Sequence, residues 1–380
     1  MEYRCRHIRI PDVLNFWEEF EGQERMLFYH PIKKKLIIGA VKWKTVTKEE
    51  GYENYINVFY PKTFFYGIQS TEREKDEEGI VFQYYLIAGE KDTVLYYRGE
   101  PIQMKERKVS WKKNSYHICN NDYEEWERMF RGIKQHILNH EVKKVVISRR
   151  MELEGKEEYN IPYLIKRLYQ NNKNCFIFAY HKDGETFLGA SPEILAEKTG
   201  NHILSYALAG TIAKNGKNDL ERGEWLLHDE KNNYEHRIVV DAITNIMKEV
   251  TSQITIGKTK LMELKNLFHL HTVITADAEN MSLLEWVKKL HPTPAMGGEP
   301  REKAINLIKQ YEPYDRGWYA APIGIVDQNG DGVFVVGIRS ALIKENKVYA
   351  YAGCGIVEQS DCREEYEETS NKFRTIMECL

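Results

Sequence analysis

Near the carboxyl end, Glu365, Glu368 and Lys372 recur at i, i+3 and i+7 in the stretch Glu364-Glu365-Tyr366-Glu367-Glu368-Thr369. On a helix they fall within about 60° of one another. The apolar positions Tyr366, Phe373, Ile376, Met377 and Leu380 lie beside them, so the charges sit at the edge of burial. Just upstream runs the small-residue loop Ala352-Gly353-Cys354-Gly355. Carboxylates beside glycine amides and a lysine suit a hard cation together with an anionic ligand. This end of the chain reads as a binding site.

Other residues become informative only in company. Lys144 opens a strand on which it shares a side with Val146, Ser148 and Arg150. Alone, it is an ordinary surface lysine. Glu193 follows Ser191-Pro192 where a strand must turn, and alone it is a turn carboxylate. Arg339 falls inside an apolar run and needs an anionic partner if buried. Glu235 raises the same question from inside an apolar helical stripe. His269 and His271 form an HxH pair with no third zinc ligand nearby, which leaves His271 structural and His269 open to a role in lining a site.

The elements that must position these groups suggest an α+β protein. Residues 1–120 alternate aromatic and polar segments and read as strand-rich, with Thr71 to Gly79 as an exposed loop. From 121 to 380 the pattern predicts helices at 122–140 and 161–171, and strands at 144–153, 175–181 and 185–190. One long helix is expected over 218–251, its inward stripe Ile238, Val239, Ala242 and Ile246 preceded by His228, Lys231 and Glu235. A stripe that turns charged reaches into a cleft. A hairpin is expected from strands at 333–343 and 347–352.

The 380 residues carry a net charge of −3, which gives no reason to expect nucleic acid. Six scattered cysteines without a CxxC pair suit reduced thiols. The first residues lead into no apolar h-region, and no apolar run is long enough to span a bilayer. The expectation is a cytoplasmic protein without a membrane partner. GCGIVE does not open a dinucleotide fold.

Taken in order, KVVISR, GASPE, LAGT, EKNNYEH, FHLHT, HPTPAMGG, YDRGWYAAPIG, GIRSA, AGCGIV and EEYEETSNK resemble the chorismate-utilising enzymes, relatives of anthranilate synthase component I. The likeness covers about residues 122–378. Within that superfamily HPTPA is similar to the isochorismate synthases, and Ala209 is not the lysine of aminodeoxychorismate synthases. The resemblance implies a large two-subdomain sandwich with antiparallel sheets inside and helices outside, residues 1–120 forming part of the same fold. It implies Mg²⁺-dependent isomerisation of chorismate to isochorismate by a monomer or weak homodimer. Lys144 would activate water and Glu193 would act as general acid. Glu235, Glu365 and Glu368 would hold Mg²⁺. Gly210, Thr211, Arg339, Gly353 and Lys372 would meet the substrate's carboxylates, with His269 and Tyr319 lining the ring pocket.

A lysine acts as base only where burial or cations such as Arg150 or Mg²⁺ favour the free amine. Asn232, Cys354, Cys362 and Lys214 depart from residues common in the family, and none of them removes a catalytic group. The alternatives are a salicylate synthase, an amine-adding synthase, or a non-catalytic protein that binds an anion and a metal. Whether the product would serve menaquinone or siderophore synthesis is left open by the resemblance.

Overall fold

A computed structural model describes residues 2–47, 54–64, 79–104, 113–120, 123–279 and 281–380. The exposed loop expected at Thr71 to Gly79 lies outside these residues apart from Gly79, which begins a strand. Among the described residues the chain forms twenty strands and eight helices. Every strand pair is antiparallel.

The strands form two limbs of one hydrogen-bonded network. The first limb runs, neighbour to neighbour, through Lys144–Gly155, Lys347–Ile356, Ser340–Lys344, Glu185–Ser191, Phe176–Lys182, Arg25–His30 and Lys35–Val46. Gly79–Ala88 pairs with Lys35–Val46 and touches Asn57–Pro61, which starts the second limb. That limb continues through Pro322–Asp327, Gly332–Val336, Ile194–Thr199, His202–Ala213 and Leu267–Asp277. Residues before 120 therefore pair with strands from both later parts of the chain.

Strand alternation sorts side chains to the two faces of the first limb. Met26, Phe28, Phe178 and Tyr180 join a core shared with Phe59, Ile323 and Phe334 of the second limb. The Phe59 and Tyr180 rings meet across it at 5.3 Å. Their neighbours Leu27, Ile177 and Ala179 turn the other way, against Trp17, Leu164, Leu168, Phe373 and Ile376 from helices Leu14–Glu19, Ile161–Asn171 and Cys362–Met377. Helices Glu230–Lys248 and Leu283–Leu290 pack Val239, Ile243, Met247 and Trp286 into the core that holds Ile203, Ala207 and Ile274 of the second limb. The sheets are inside and the helices outside, as the α+β expectation has it. No helix among the described residues is long and apolar enough to cross a membrane.

Two expected elements divide. The single helix over 218–251 is two, Asp219–His228 and Glu230–Lys248. Asp229 takes an extended conformation (ψ 124°) and its carboxylate accepts the Asn232 amide, which starts a new helix. Apolar spacing continues across the break, so periodicity does not register it. The buried face is Ile238, Val239, Ile243 and Met247; Ala242 and Ile246 are half-buried and His228 is exposed.

The strand expected over 333–343 is likewise two, Gly332–Val336 in the second limb and Ser340–Lys344 in the first. Arg339 is not mid-strand but in the crossover between them, at φ 52°. A second crossover carries the chain from Glu185–Ser191 to Ile194–Thr199 through Pro192 and Glu193. The two crossovers are stitched together, Val336 N–H donating to the Glu193 carbonyl and Ala190 N–H to that of Arg339 (both 3.1 Å).

Beneath the crossovers, Arg316 is fully buried and donates to both Glu312 oxygens at 2.9 and 2.6 Å. It also donates to the carbonyls of Met296 and Val146 (2.8 Å each), and Glu312 accepts the Ser148 amide at 2.8 Å. This pair fixes the Lys144–Gly155 strand against the 291–298 loop. Removing one member leaves the other charged and buried, so Arg316→Met should cost about 3–5 kcal/mol in urea unfolding. A loss below about 0.5 kcal/mol, the range of an ordinary surface substitution, would show that the clamp does not carry the fold.

Candidate active site

The crossovers, the Cys362–Met377 helix and the Glu230–Lys248 helix line one partly open cavity. Lys144, Glu193, Gly210, Thr211, Glu235, His269, Tyr319, Arg339, Gly353, Glu368 and Lys372 all line it. Of the twelve residues expected to act as catalytic, substrate-binding or metal-holding groups, only Glu365 is not in the wall. Arg150, the expected neighbouring cation, is also absent; it pairs with Glu152 at 2.8 Å and lies over the Tyr314 ring.

Lys144 opens its strand with 1 % of its surface exposed, and its Nζ is 2.9 Å from Glu235 Oε1. The contact needs Gly355 on the adjacent strand, because a Cβ there would stand 2.4 Å from Glu235 Oε1 and closer still to Lys144 Cε. Burial alone would raise the Glu235 pKa, but Lys144, Lys231 and Lys372 outweigh it and hold the carboxyl below its ordinary range.

Glu193 has the opposite balance. Burial pushes its carboxyl up to about 8 against the pull of Lys144, Lys372 and Arg339, so it carries a proton at neutral pH. One cavity thus holds an ionised and a protonated carboxyl group.

On the C-terminal helix, Asp361 caps the amides of Arg363 and Glu364. Lys372 reaches Glu368 at 2.6 Å and the Gly353 carbonyl at 2.7 Å. Glu365 is 2 % exposed and pairs with Lys231 at 2.5 Å. Burial, then the nearby Glu368 charge, raises Glu365 to about 7 despite Lys231. The buried face of this helix includes Glu365 and Thr369 as well as Phe373 and Ile376. Arg149 anchors it, donating to the Tyr366 carbonyl (3.0 Å), Thr369 Oγ1 (2.7 Å) and Ser370 Oγ (3.0 Å).

At the other wall, Gly210 is the extra residue of a bulge and sits at φ 79°. Arg339 Nη2 lies 2.6 Å from His269 Nε2, and Thr211 Oγ1 is 2.9 Å from His269 Nδ1. Burial, reinforced by Arg339, keeps His269 neutral well below its usual pKa. Tyr319 stacks on Tyr351 with ring centroids 5.0 Å apart. His271 stays outside the wall, edge-on to Tyr206.

Sequence reasoning missed Arg316 as a wall residue, together with the apolar patch Leu208, Met296 and Ile338. Arg316 lies within the YDRGWYAAPIG segment, which was the available signal.

Glu235, Glu365 and Glu368 provide hard oxygen donors of the kind Mg²⁺ prefers. Among the described residues their oxygens do not all lie within 4.8 Å of one another, so the three carboxylates are not gathered into one ligand set. In this structure lysines partner the three carboxylates instead.

Residues 9–380 match the family described as chorismate binding enzyme. The chain belongs to that family. The isochorismate synthase MenF of Bacillus subtilis is 38 % identical over 263 residues, 68 % of this chain and 56 % of that protein. The salicylate biosynthesis isochorismate synthase of Pseudomonas aeruginosa is 40 % identical over 57 % of this chain and 46 % of its own length. The chain thus spans about half the length of these two curated relatives. The solved menaquinone-specific isochorismate synthase of Escherichia coli superposes with a TM-score of 0.83 over 100 % of this chain and 94 % of that one. At 22 % identity that likeness concerns the fold. DhbC of Bacillus anthracis gives 0.80 at 26 % identity over 96 % and 98 % of the two chains.

In this chorismate-binding family member, the room left by Gly355 makes a direct test of the lysine–glutamate contact. Gly355→Ala should push both Lys144 and Glu235 out of place, lower kcat/KM about 100-fold and cost about 1–3 kcal/mol in urea unfolding. Activity within about threefold of wild type would show that the pair tolerates displacement.

Proposed function

We propose that the chain isomerises chorismate to isochorismate. The observation that carries this reading is one cavity whose wall holds both a buried lysine and a carboxyl that keeps its proton at neutral pH. The names of the curated relatives support it. Lys144 takes a proton from water as the oxygen bonds to C2 of the ring. Both ring double bonds shift by one position, the C4–oxygen bond breaks, and Glu193 protonates the departing hydroxyl. One water enters and one leaves, so the product is an isomer. Base duty requires the free amine, so the Lys144–Glu235 contact opens when substrate binds.

Arg339 and Lys372, with the Gly210–Thr211 and Gly353 backbone, meet the two carboxylates. Glu235, Glu365 and Glu368 would hold Mg²⁺, whose contribution when bound is to neutralise and orient the ring carboxylate. His269 and Tyr319 border the ring.

The test is incubation of purified protein with chorismate and Mg²⁺, with and without EDTA, resolved by chromatography and assayed for pyruvate. A metal-dependent isochorismate peak without pyruvate is expected. Salicylate with pyruvate would move the reaction to elimination, and no turnover would leave an anion-binding protein.

Lys144→Ala should abolish turnover while chorismate still binds; a variant keeping more than about a tenth of the rate would remove Lys144 as the base. Glu193 must be protonated to act. Its carboxyl titrates at about 8, so kcat/KM should fall tenfold per pH unit above that value. A profile flat to pH 9.5, about one and a half units past the Glu193 pKa, would falsify the acid assignment.

A further inference from the structure

The aspartate that interrupts the two helices also starts a run of hydrogen bonds that ends at the arginine of the cavity. Asp229 Oδ1 accepts from the Asn232 backbone N–H at 2.9 Å and from its side-chain Nδ2 at 2.7 Å. With its donor end committed, the Asn232 amide turns its Oδ1 to the bulge and accepts the Thr211 N–H at 3.0 Å. The fit is close, since a Cβ on Gly210 would stand 3.2 Å from both the Asn232 carbonyl and its Cβ.

The bulge in turn faces His269. A guanidinium can only donate, so His269 Nε2 accepts from Arg339. The neutral ring therefore carries its proton on Nδ1, which points at Thr211 Oγ1 (2.9 Å) and the Gly210 carbonyl (3.3 Å). Asn232 is buried and stands behind the cavity wall, not in it.

We propose that Asn232 is a positioning residue: held by Asp229, it sets the Gly210–Thr211 bulge and, through His269, the aim of Arg339 at an anionic substrate. The part concerning substrate rests on the chorismate reading; the relay itself does not. The position also requires a neutral side chain. An aspartate there could still accept from Thr211, but its second oxygen would face the Asp229 carboxylate in place of an amide 2.7 Å away. Exchanging the two residues restores one carboxylate and one amide, and asparagine caps a helix as well as aspartate does.

The experiment compares wild type, Asn232→Asp, Asn232→Leu and the exchange Asp229→Asn/Asn232→Asp. Asn232→Asp and Asn232→Leu should raise KM for chorismate about tenfold and leave kcat within about threefold, and the exchange should return KM to within about twofold. Histidine-labelled protein without substrate gives a second readout by nitrogen-15 NMR. The His269 Nδ1 proton should be protected from exchange in wild type and in the exchanged protein, and unprotected in Asn232→Leu.

An unchanged KM in Asn232→Asp overturns the proposal, as does an exchange that folds with a wild-type melting temperature yet fails to recover KM. If wild type does not turn over chorismate but the Nδ1 proton is protected in the predicted pattern, the reaction assignment fails and the relay stands. If turnover is normal and that proton is indifferent to position 232, the relay fails.

Discussion

The buried contact between Lys144 and Glu235 organises this molecule. It joins the first strand residue of one limb to a helix packed on the other. A buried ion pair is weak as a source of net stability, because both charges lose their water. Its neighbours are nevertheless shaped to admit it. Gly355 leaves room for the two side chains, and Gly298 lets a short strand lie against the Lys144 carbonyl where any Cβ would collide. Lys231–Glu365 and Lys372–Glu368 lie near it, so three lysines and three carboxylates alternate along this side of the site.

The site lies where the chain changes limbs. Within a strand, a polar side chain directed inward would meet the apolar core. At the crossovers the ladder is interrupted, and Glu193 and Arg339 project from backbone that has left it. The carbonyls of those two residues are taken up by amides of the strands beside them, Val336 and Ala190. The bulge at Gly210 performs the same task inside a ladder: one extra residue re-aims Thr211 towards His269.

How far this could be read from the chain depends on whether the signal was local. The Glu365, Glu368 and Lys372 face was legible because helical spacing fixes which side chains share a side. So was the alternation that sets Lys144 and Val146 on the cavity side. The break at Asp229 was not, since capping is a choice between side-chain and backbone acceptors that apolar spacing ignores. Arg339 was misplaced in a strand because an apolar run looks the same whether it serves one sheet limb or two. The partners of Glu365 and Glu235 were invisible for a different reason: Lys231 lies 134 positions from Glu365, and only the fold joins them. The ordered family segments compensated, since they carry the outcome of those long-range contacts without explaining them.

Arg339 and Ala320 both hold left-handed backbone, at φ 52° and 59°, and both border the cavity. Glycine is the residue that occupies this region without penalty, and other side chains resist it by about 1–3 kcal/mol. At position 339 glycine would relax the turn and delete the guanidinium at once. Conformational ease and a buried cation in the cavity wall are therefore opposed within a single residue.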